Sequence, residues 1–516
     1  MFRKTDTNEQ LDIFSSPSTY MKGRAAKKYE DPHAWHNEFY QYVTSKIDEE
    51  TFRPLFKEGN MGAPNASIRI LVAMSILKEG FGCSNEDLFE KCEFDLLARK
   101  ALGMGTLEDA APSIDTYYLF RRRICDYEKE KCVNLMEKCF GQVTGEQVKV
   151  FKVSGRSVRM DSKQIGSNIA WYSRYEIVHA TLRKEMNEFT LPSLNPSLRK
   201  KVEEALTEDA QKTVYRTDSD TMAVRFQELG QLIYSILVRL KWDETHLLHR
   251  VFHEQYNVEH GKAIAKDKKD IKASSVQNPN DPDAGYRSKN GKKNKGYNTN
   301  LTETTDEEDK PSLIVGVQVE SATAADNSFV EDAIKKAEEV TGNKVTTLYS
   351  DGAYQSPSNR KFAETEQIKF VANGIQGKRS RFDLTDLLSK HQVLDRNTGE
   401  LIDAVLTKGG KWKVKLSEGK TRLRYFAQEV IDRFLTRMQI EATPLEERNK
   451  RNNVEASIFQ YCFHTRNNKT RYRGLLKTKL FSYCRCMWMN MRRIQLFEIT
   501  MCQRDQFRGV NSLNGL

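Results

Sequence analysis

The stretch that decides the fold is VTTLYSDGAY, residues 345–354, in which an apolar strand candidate runs directly into an aspartate and a glycine. Upstream, residues 313–319 read LIVGVQV, a near-continuous apolar run that is typical of a buried strand. Ser328 and Glu331 lie between the two and predict a capping box at the start of an intervening helix. Because a second helix and a short strand follow within residues 356–372, the order of elements predicts a mixed α/β sheet.

Outside this stretch, the periodicity of apolar residues divides the chain into segments of different types. A period of 3.6 residues predicts helix, and strict alternation predicts strand. Helix is predicted for residues 31–145, 166–262 and 444–498. One or two strands are predicted for residues 146–165 around a turn at Gly155, a β-rich segment for 383–440, and mostly loop for 263–295.

Composition and motif content narrow the range of possible functions. The 516 residues include 82 Lys and Arg against 71 Asp and Glu, a net charge of +11, which favours a polyanionic partner such as nucleic acid. A secretory signal and a membrane-spanning run are not expected. Nine cysteines without a CxxC pair are typical of a reduced cytosolic protein. The chain lacks the usual motifs of nucleotide hydrolases, dinucleotide enzymes and common serine or zinc hydrolases.

Three acidic residues are candidates for chemistry. Asp161 and Asp351 each end a predicted strand, where open α/β sheets place their sites, and Glu455 lies on a predicted helix near Arg451. Three converging carboxylates would need a divalent cation, Mg²⁺ or Mn²⁺, and two such ions could activate a nucleophile at a phosphodiester. The ordinary alternatives are a turn at Asp351-Gly352 and a surface ion pair at Glu455.

Positive charge is concentrated in three clusters that flank these acids. Residues 466–497 contain nine Lys or Arg and no acid, and residues 286–301 contain five and no acid. The third cluster is Lys378, Arg379 and Arg381. Basic runs with interleaved tyrosines suit a phosphate backbone, although each cluster alone is more often a solvated face.

The predicted N-terminal helices carry a further basic group, Arg121-Arg122-Arg123. Short helices joined by glycine turns beside such a group are compatible with a DNA-binding helix-turn-helix. A plain helical bundle with a solvated arginine face explains the same pattern equally well.

Taken together, these motifs resemble a DDE transposase of a bacterial insertion sequence, of the IS4-like branch, over residues 34–495. The N-terminal part is similar to that family's DNA-binding helical domain through Phe52, Gly62-Ala63-Pro64, Leu71–Gly82, Ser84–Glu90 and Pro112–Arg123. The catalytic part is similar through MDSKQI (160–165) with Asn168, DPDA (281–284), KGYN (295–298), SDGAY (350–354), RNNVE (451–455) and RYRG (471–474).

The resemblance implies an RNase H-like, twisted, five-stranded mixed sheet flanked by helices. Asp161 would lie on the first strand, Asp351 on the fourth and Glu455 on a following helix, and together they would bind two Mg²⁺ or Mn²⁺ ions. The enzyme would bind the terminal inverted repeats of double-stranded DNA, cleave a phosphodiester and join the freed 3′-OH to target DNA. Synapsis of two ends implies a homodimer, and the location would be the bacterial cytoplasm, at the nucleoid.

The resemblance also implies a division of the chain. Its parts would be a flexible leader (1–30), a helical DNA-binding domain (31–145), a catalytic domain (146–165, 286–382 and 441–500), a helical insertion with a basic loop (166–285), a β-rich insertion (383–440) and a tail (501–516). The predicted DNA contacts are Arg448, Arg451, Lys292, Lys293, Lys295, Arg379, Arg381, Lys469, Arg471, Arg473, Arg121, Arg122 and Arg123.

Two positions depart from the family pattern. Many relatives have a tyrosine seven residues before the glutamate and a lysine seven residues after it, whereas this chain has Arg448 and Cys462 there. If that tyrosine and lysine handle a flipped base or a hairpinned end, the departures argue against a hairpin route of transposition. Two other functions stay open, a catalytically silent DNA-binding protein and a metal-dependent nuclease that does not join strands.

Overall fold

The computed structural model describes residues 2–4, 17–57, 65–289, 291–305, 307–374, 379–416 and 423–513. Most of the N-terminal half of the expected leader, the Gly62–Pro64 motif, Lys378 and the last three residues of the tail lie outside the described residues. No helix among the described residues is both long and apolar enough to cross a lipid bilayer.

The N-terminal part is helical, as predicted. Ser84 and Asp87 form a capping box, and Gly82 ends the preceding helix with a left-handed φ of 67°. Residues 17–20 and 23–30, which fall in the expected leader, form two helices. The helices are α1 (Pro17–Tyr20), α2 (Gly23–Glu30), α3 (Trp35–Tyr42), α4 (Ile68–Phe81), α5 (Asn85–Phe94), α6 (Leu96–Leu102), α7 (Ile114–Lys131) and α8 (Leu135–Val150).

The expected strand at Val148 and Val150 is also wrong, because both residues belong to α8. Val148 is buried there among apolar neighbours, and this packing outweighs the weak helix propensity of valine. Gly155, with a φ of 62°, makes the predicted turn before the first strand, β1 (Ser157–Gly166).

An insertion with its own apolar core follows β1. It is helical, as predicted, and ends in a short hairpin. Its elements are α9 (Arg174–Glu185), α10 (Pro196–Thr207), α11 (Ala210–Arg216), α12 (Ser219–Leu240), α13 (Leu247–Gln255), β2 (Tyr256–Glu259) and β3 (Lys262–Ala265).

The central sheet contains β1 and five later strands of the described chain. These and the intervening helices are β4 (Gly285–Lys289), β5 (Lys292–Thr304), β6 (Ile314–Ser321), α14 (Val330–Thr341), β7 (Thr347–Ser350), α15 (Pro357–Thr365) and β8 (Lys369–Ala372). The long strand β5 runs antiparallel to β1 on one side, and to β6 and β4 on the other. Beyond β1, strands β7 and β8 are parallel to it.

The structure corrects two details of this region. The described sheet has six strands rather than five, because β4, which falls in the expected loop 263–295, forms a hairpin with β5. The predicted capping box of α14 is absent, because the Ser328 hydroxyl donates to the carbonyl of Ala325 and a 3₁₀ turn leads into the helix.

The segment predicted to be β-rich forms a second sheet, in which a hairpin pairs Asp395 with Glu400. A helix within the same segment, α17 (Gln428–Ala442), covers this sheet with Ile431 and Phe434. The remaining elements are β9 (Phe382–Asp383), α16 (Leu387–Lys390), β10 (Gln392–Asp395), β11 (Glu400–Leu406), β12 (Trp412–Lys415), β13 (Leu423–Phe426), α17 (Gln428–Ala442), α18 (Leu445–Asn449), α19 (Asn453–Cys462) and α20 (Leu475–Leu513).

Helix α20 joins the central sheet to the N-terminal helices. Its Trp488 lies against Phe39 of α3 and Phe81 of α4, with ring centroids 5.9 and 5.1 Å apart. On another side, its Asn490 binds the backbone of Ile314 at the start of β6. The two halves of the chain therefore share one apolar core.

Candidate active site

The pairing of β1 with β7 brings Asp161 and Asp351 to the same level of the sheet. Ser157 pairs with Thr347 and Arg159 with Tyr349, an offset of 190 residues that is also the separation of the two aspartates (351 − 161 = 190). Asp351 continues β7 in an extended conformation, with φ −84° and ψ 171°. Neighbouring strands lie about 4.8 Å apart and in-register side chains share a face, so both aspartates project from the same face.

The loop after β7 is fixed by polar contacts. The Asp351 carboxylate accepts a hydrogen bond from the Ala353 backbone N–H at 2.7 Å, which caps the 3₁₀ turn Gly352–Tyr354. The hydroxyl of Tyr354, fully buried, donates to Asn300 Oδ1 of β5 at 2.7 Å. The turn that was the ordinary alternative for Asp351-Gly352 is therefore present, and it also holds the carboxylate beside the sheet.

Arg451 lies between Asp161 and Glu455 and bonds to both. Its Nη2 donates to Asp161 Oδ2 at 2.7 Å, and its Nη1 donates to Glu455 Oε1 at 2.6 Å. The guanidinium is nearly buried, whereas the Glu455 side chain is 63% exposed at the start of α19. One cation of the protein thus holds together a strand acid and a helix acid that are 294 residues apart (455 − 161).

A buried ionic network fixes the backbone that carries Arg451. Glu303 of β5 is inaccessible to solvent and accepts hydrogen bonds from Arg159 Nε at 2.5 Å, Arg493 Nη2 at 2.8 Å and Ser457 Oγ of α19 at 2.5 Å. Arg159 also donates to the carbonyl of Lys450 at 3.2 Å. The position of α19 on the sheet therefore depends on this network.

The surroundings of Asp161 disfavour its charged form. Burial raises the pKa of its carboxyl to about 6, and the neighbouring charges of Asp351 and Glu455 add to this rise. The Arg451 guanidinium and the Ser162 N–H oppose it. Because the charges of Asp351 and Glu455 both raise the pKa of Asp161, the three carboxylates lie close enough to repel one another.

The donor chemistry of the three residues suits a hard divalent cation, because all three offer carboxylate oxygens. Among the described residues, however, the three do not form a group whose ligand atoms all lie within 4.8 Å of one another. Arg451 occupies Asp161 Oδ2 and Glu455 Oε1 instead. Binding of ions by this trio would require these two salt bridges to rearrange.

We expect Asp161→Asn to stabilise the metal-free protein at pH 8 by about 3 kcal/mol. The folded-state pKa of about 6 exceeds the ordinary value of 3.8, so the charged carboxylate costs stability above pH 6 and the cost fades as pH falls toward 4. Urea unfolding with chelator at several pH values would measure this.

Asp87→Asn is the matched control, and its expected effect on stability has the opposite sign. The Ser84 backbone N–H lowers the pKa of Asp87, so this change should destabilise the protein at pH 8. A destabilisation by Asp161→Asn at pH 8 would contradict the burial-driven rise in the Asp161 pKa.

The predicted basic residues occupy three kinds of position. Lys292, Lys293, Arg122 and Arg123 are exposed. Arg448 is partly buried. Five others donate hydrogen bonds to a nearby residue: Arg379 to Glu441, Arg381 to Asp395, Lys469 to Ile169, Arg471 to Glu79 and Arg473 to Asn168. Lys295 is buried beneath Trp171, Arg121 bonds to Tyr117 inside the helical part, and Arg451 bridges the acids.

Sequence reasoning missed Asp326 and the network of Glu303. Asp326 is buried before α14 and accepts hydrogen bonds from Ser162 Oγ at 2.8 Å and Asn298 Nδ2 at 2.9 Å, so it contacts the residue that follows Asp161. The polar residues of β5, KGYNTNLTET, are the one signal that could have pointed to it, because polar side chains in a central strand need buried partners.

An open groove of about 680 Å³ lies beside these acids. Asp161, Ser162 and Lys163 form one wall and Glu455 lies on the other, together with Phe459 and Phe463 of the same α19 region. The two phenylalanines are 69% and 65% exposed, and their rings lie 6.2 Å apart. Large exposed aromatic side chains next to carboxylates are typical of a binding surface rather than of a core.

Residues 28–123 match a protein-family model described as Transposase domain (DUF772). The match begins near the end of α2 and extends into α7, so it lies within the N-terminal helical part. It supports a transposase. Neither the curated proteins nor the solved structures yield a match to this chain.

Proposed function

We propose that this chain is a DNA transposase that cleaves phosphodiester bonds at the ends of its element and joins the 3′-OH ends to target DNA. The observation that carries the proposal is the in-register placement of Asp161 and Asp351 on neighbouring parallel strands, with Arg451 linking Asp161 to Glu455. The transposase-domain match over residues 28–123 supports the same reading independently, because it involves none of these residues.

The topology of the sheet also supports it. Without the extra hairpin strand β4, the strand order is β6-β5-β1-β7-β8, with the first three antiparallel and the last two parallel to β1. This arrangement agrees with the RNase H-like sheet that the resemblance implies, with further segments inserted after β1 and after β8. Both insertions leave the strands that carry Asp161 and Asp351 adjacent.

Asp161, Asp351 and Glu455 would hold the metal ions, two Mg²⁺ or Mn²⁺. Such ions, when bound, neutralise the charge that develops at the phosphate and at the oxygens that attack and leave. The protein's own contribution is to position the carboxylates: β1 and β7 pair in parallel register, and the Ser457 hydroxyl of α19 bonds to Glu303 of the sheet. Arg451, once released from one carboxylate, would be placed to bind a phosphate oxygen.

The groove next to Glu455 is suited to DNA. Phe459 and Phe463 offer exposed rings on which an unpaired base could stack, and Lys163 lies on the opposite wall. Lys292 and Lys293 on the β4–β5 hairpin and Arg122 and Arg123 on α7 are exposed cations for phosphate contacts. In this proposal the N-terminal helices recognise the inverted repeats, and two copies of the chain bring two ends together.

A strand-transfer assay tests the proposal. Purified protein would be incubated with Mg²⁺, a duplex copied from the DNA that flanks the gene and ends in a pre-cleaved 3′-OH, and a supercoiled plasmid target. We expect covalent joining of the duplex to the plasmid. Binding without cleavage would favour a silent DNA-binding protein, and cleavage without joining would favour a nuclease. Either outcome would overturn the proposed strand transfer.

A further inference from the structure

A second group of ligand-type side chains lies far from these acids in the chain, between the N-terminal and C-terminal helices. His33 lies just before α3, Glu38 lies in the first turn of α3, and Glu498 lies on α20. One ligand atom of each side chain lies within 4.8 Å of the other two. Among the described residues, this is the one group of three that has such spacing.

The spacing matches the coordination of a small divalent ion. His33 Nδ1 lies 3.3 Å from Glu38 Oε1 and 3.6 Å from Glu498 Oε2. In a tetrahedral zinc site, with bonds of about 2.0–2.2 Å, neighbouring ligand atoms lie about 3.3–3.6 Å apart. The two distances from His33 fall within this range, and the carboxylate oxygens of Glu38 and Glu498 lie within 4.8 Å of each other, so the three atoms surround a position suited to one small ion.

The environment of Glu38 is a second, independent observation at this site. Its side chain is only 1% exposed, and its Oε2 has no hydrogen-bond partner among the described residues. A buried carboxylate oxygen without a donor is costly, and the charge of Glu498 nearby makes it more so. A cation between the two carboxylates would satisfy both groups.

The residues around the trio hold it in place. The hydroxyl of Tyr42, on the same helix α3, donates to Glu498 Oε1 at 2.7 Å, and Gln495 Nε2 donates to the His33 carbonyl at 2.7 Å. His33 Nε2 lies 3.3 Å from Cys502 Sγ, so with Nδ1 as a ligand the Nε2–H would point at the sulfur. Metal-ligating histidines and carboxylates usually have such partners, which fix their orientation.

We propose that His33, Glu38 and Glu498 bind a zinc ion that fastens α3 to α20. An imidazole and two carboxylates suit zinc among the abundant divalent metals, and three protein ligands leave the fourth tetrahedral position to water. The site would be structural, because it connects the start of the transposase-matched segment to the helix that packs on the central sheet. It does not depend on the proposed transposase chemistry.

Without a metal, the two carboxyl groups of Glu38 and Glu498 would share a proton, and this is the state with which zinc would compete. Burial and the adjacent Glu498 raise the pKa of Glu38 to about 9, so in the absence of a cation Glu38 would stay protonated at neutral pH. Zinc would displace this proton on binding. A direct measurement of metal affinity separates the two states.

The test is a zinc titration of the chelator-stripped, full-length protein by calorimetry, in an excess of Mg²⁺ to occupy sites made of carboxylates alone. We expect one zinc ion per chain and a higher melting temperature with zinc than without it. His33→Gln and Glu498→Gln should each weaken zinc binding by at least about 100-fold, since even the loss of an outer hydrogen bond to a ligand costs about 10–100-fold.

His246→Gln is the matched control. His246 Nδ1 lies 3.7 Å from Glu185 Oε2, a similar His–Glu pair that does not belong to the metal-spaced group of described residues. It should leave zinc binding unchanged. Equal zinc affinity in the unaltered protein, His33→Gln and Glu498→Gln would overturn the proposal, and so would the absence of tight zinc binding in the unaltered protein. Both ligand variants keep a neutral polar side chain at partly exposed positions, so they should fold.

Discussion

Asp161→Asn, Asp351→Asn and Glu455→Gln should each lower DNA cleavage and strand joining by at least about 10³-fold, with DNA binding retained. Each change keeps the size of the side chain and removes one negatively charged ligand from the proposed ion site, and catalytic groups that act as a unit lose most of their effect when one is removed. Cleavage and joining would be measured on labelled end duplexes, and binding by gel shift at a fixed salt concentration.

Glu446→Gln is the matched control, because Glu446 is an exposed glutamate on α18, nine residues before Glu455. It should leave cleavage and joining within about twofold. Undiminished joining in any one of the three acid variants would refute the role of that residue alone. A loss of DNA binding together with chemistry would instead show that the carboxylates act in folding or docking.

Glu303→Gln should destabilise the folded protein by about 3–5 kcal/mol. The carboxylate is inaccessible to solvent and accepts bonds from the buried Arg159 and the partly exposed Arg493, so its loss removes one buried negative charge from beside both cations. Urea unfolding at pH 7 measures the change. Because the same network holds α19, strand joining should also fall in the fraction of protein that stays folded.

The control is Glu320→Gln, an exposed glutamate on the neighbouring strand β6, whose substitution should change stability by less than about 0.5 kcal/mol. If Glu303→Gln proves as mild as Glu320→Gln, the network does not stabilise the sheet. A variant with Glu303→Leu, Arg159→Met and Arg493→Met removes all three charges, and it should recover part of the lost stability because no unpaired charge remains.

Local sequence specifies those features of the fold that depend on residues close together in the chain. The capping box at Ser84, the left-handed cap at Gly82 and the hairpin from Asp395 to Glu400 depend on neighbours within a few residues, and all are present. Errors arose where distant contacts outweigh propensity. Val148 is helical because α8 buries it, and the hairpin of β4 forms in a lysine-rich segment because β5 offers it an edge.

The sequence by itself indicated most strands of the central sheet, and it singled out Asp161, Asp351 and Glu455 as candidates, because carboxylates at strand ends and a helical glutamate four residues after an arginine leave a local pattern. Only the tertiary structure decided how those residues meet. Arg451 between two acids, Glu303 between two arginines and His33 beside Glu498 join positions up to hundreds of residues apart. Such contacts follow from sheet register and helix packing, which no short stretch of sequence encodes.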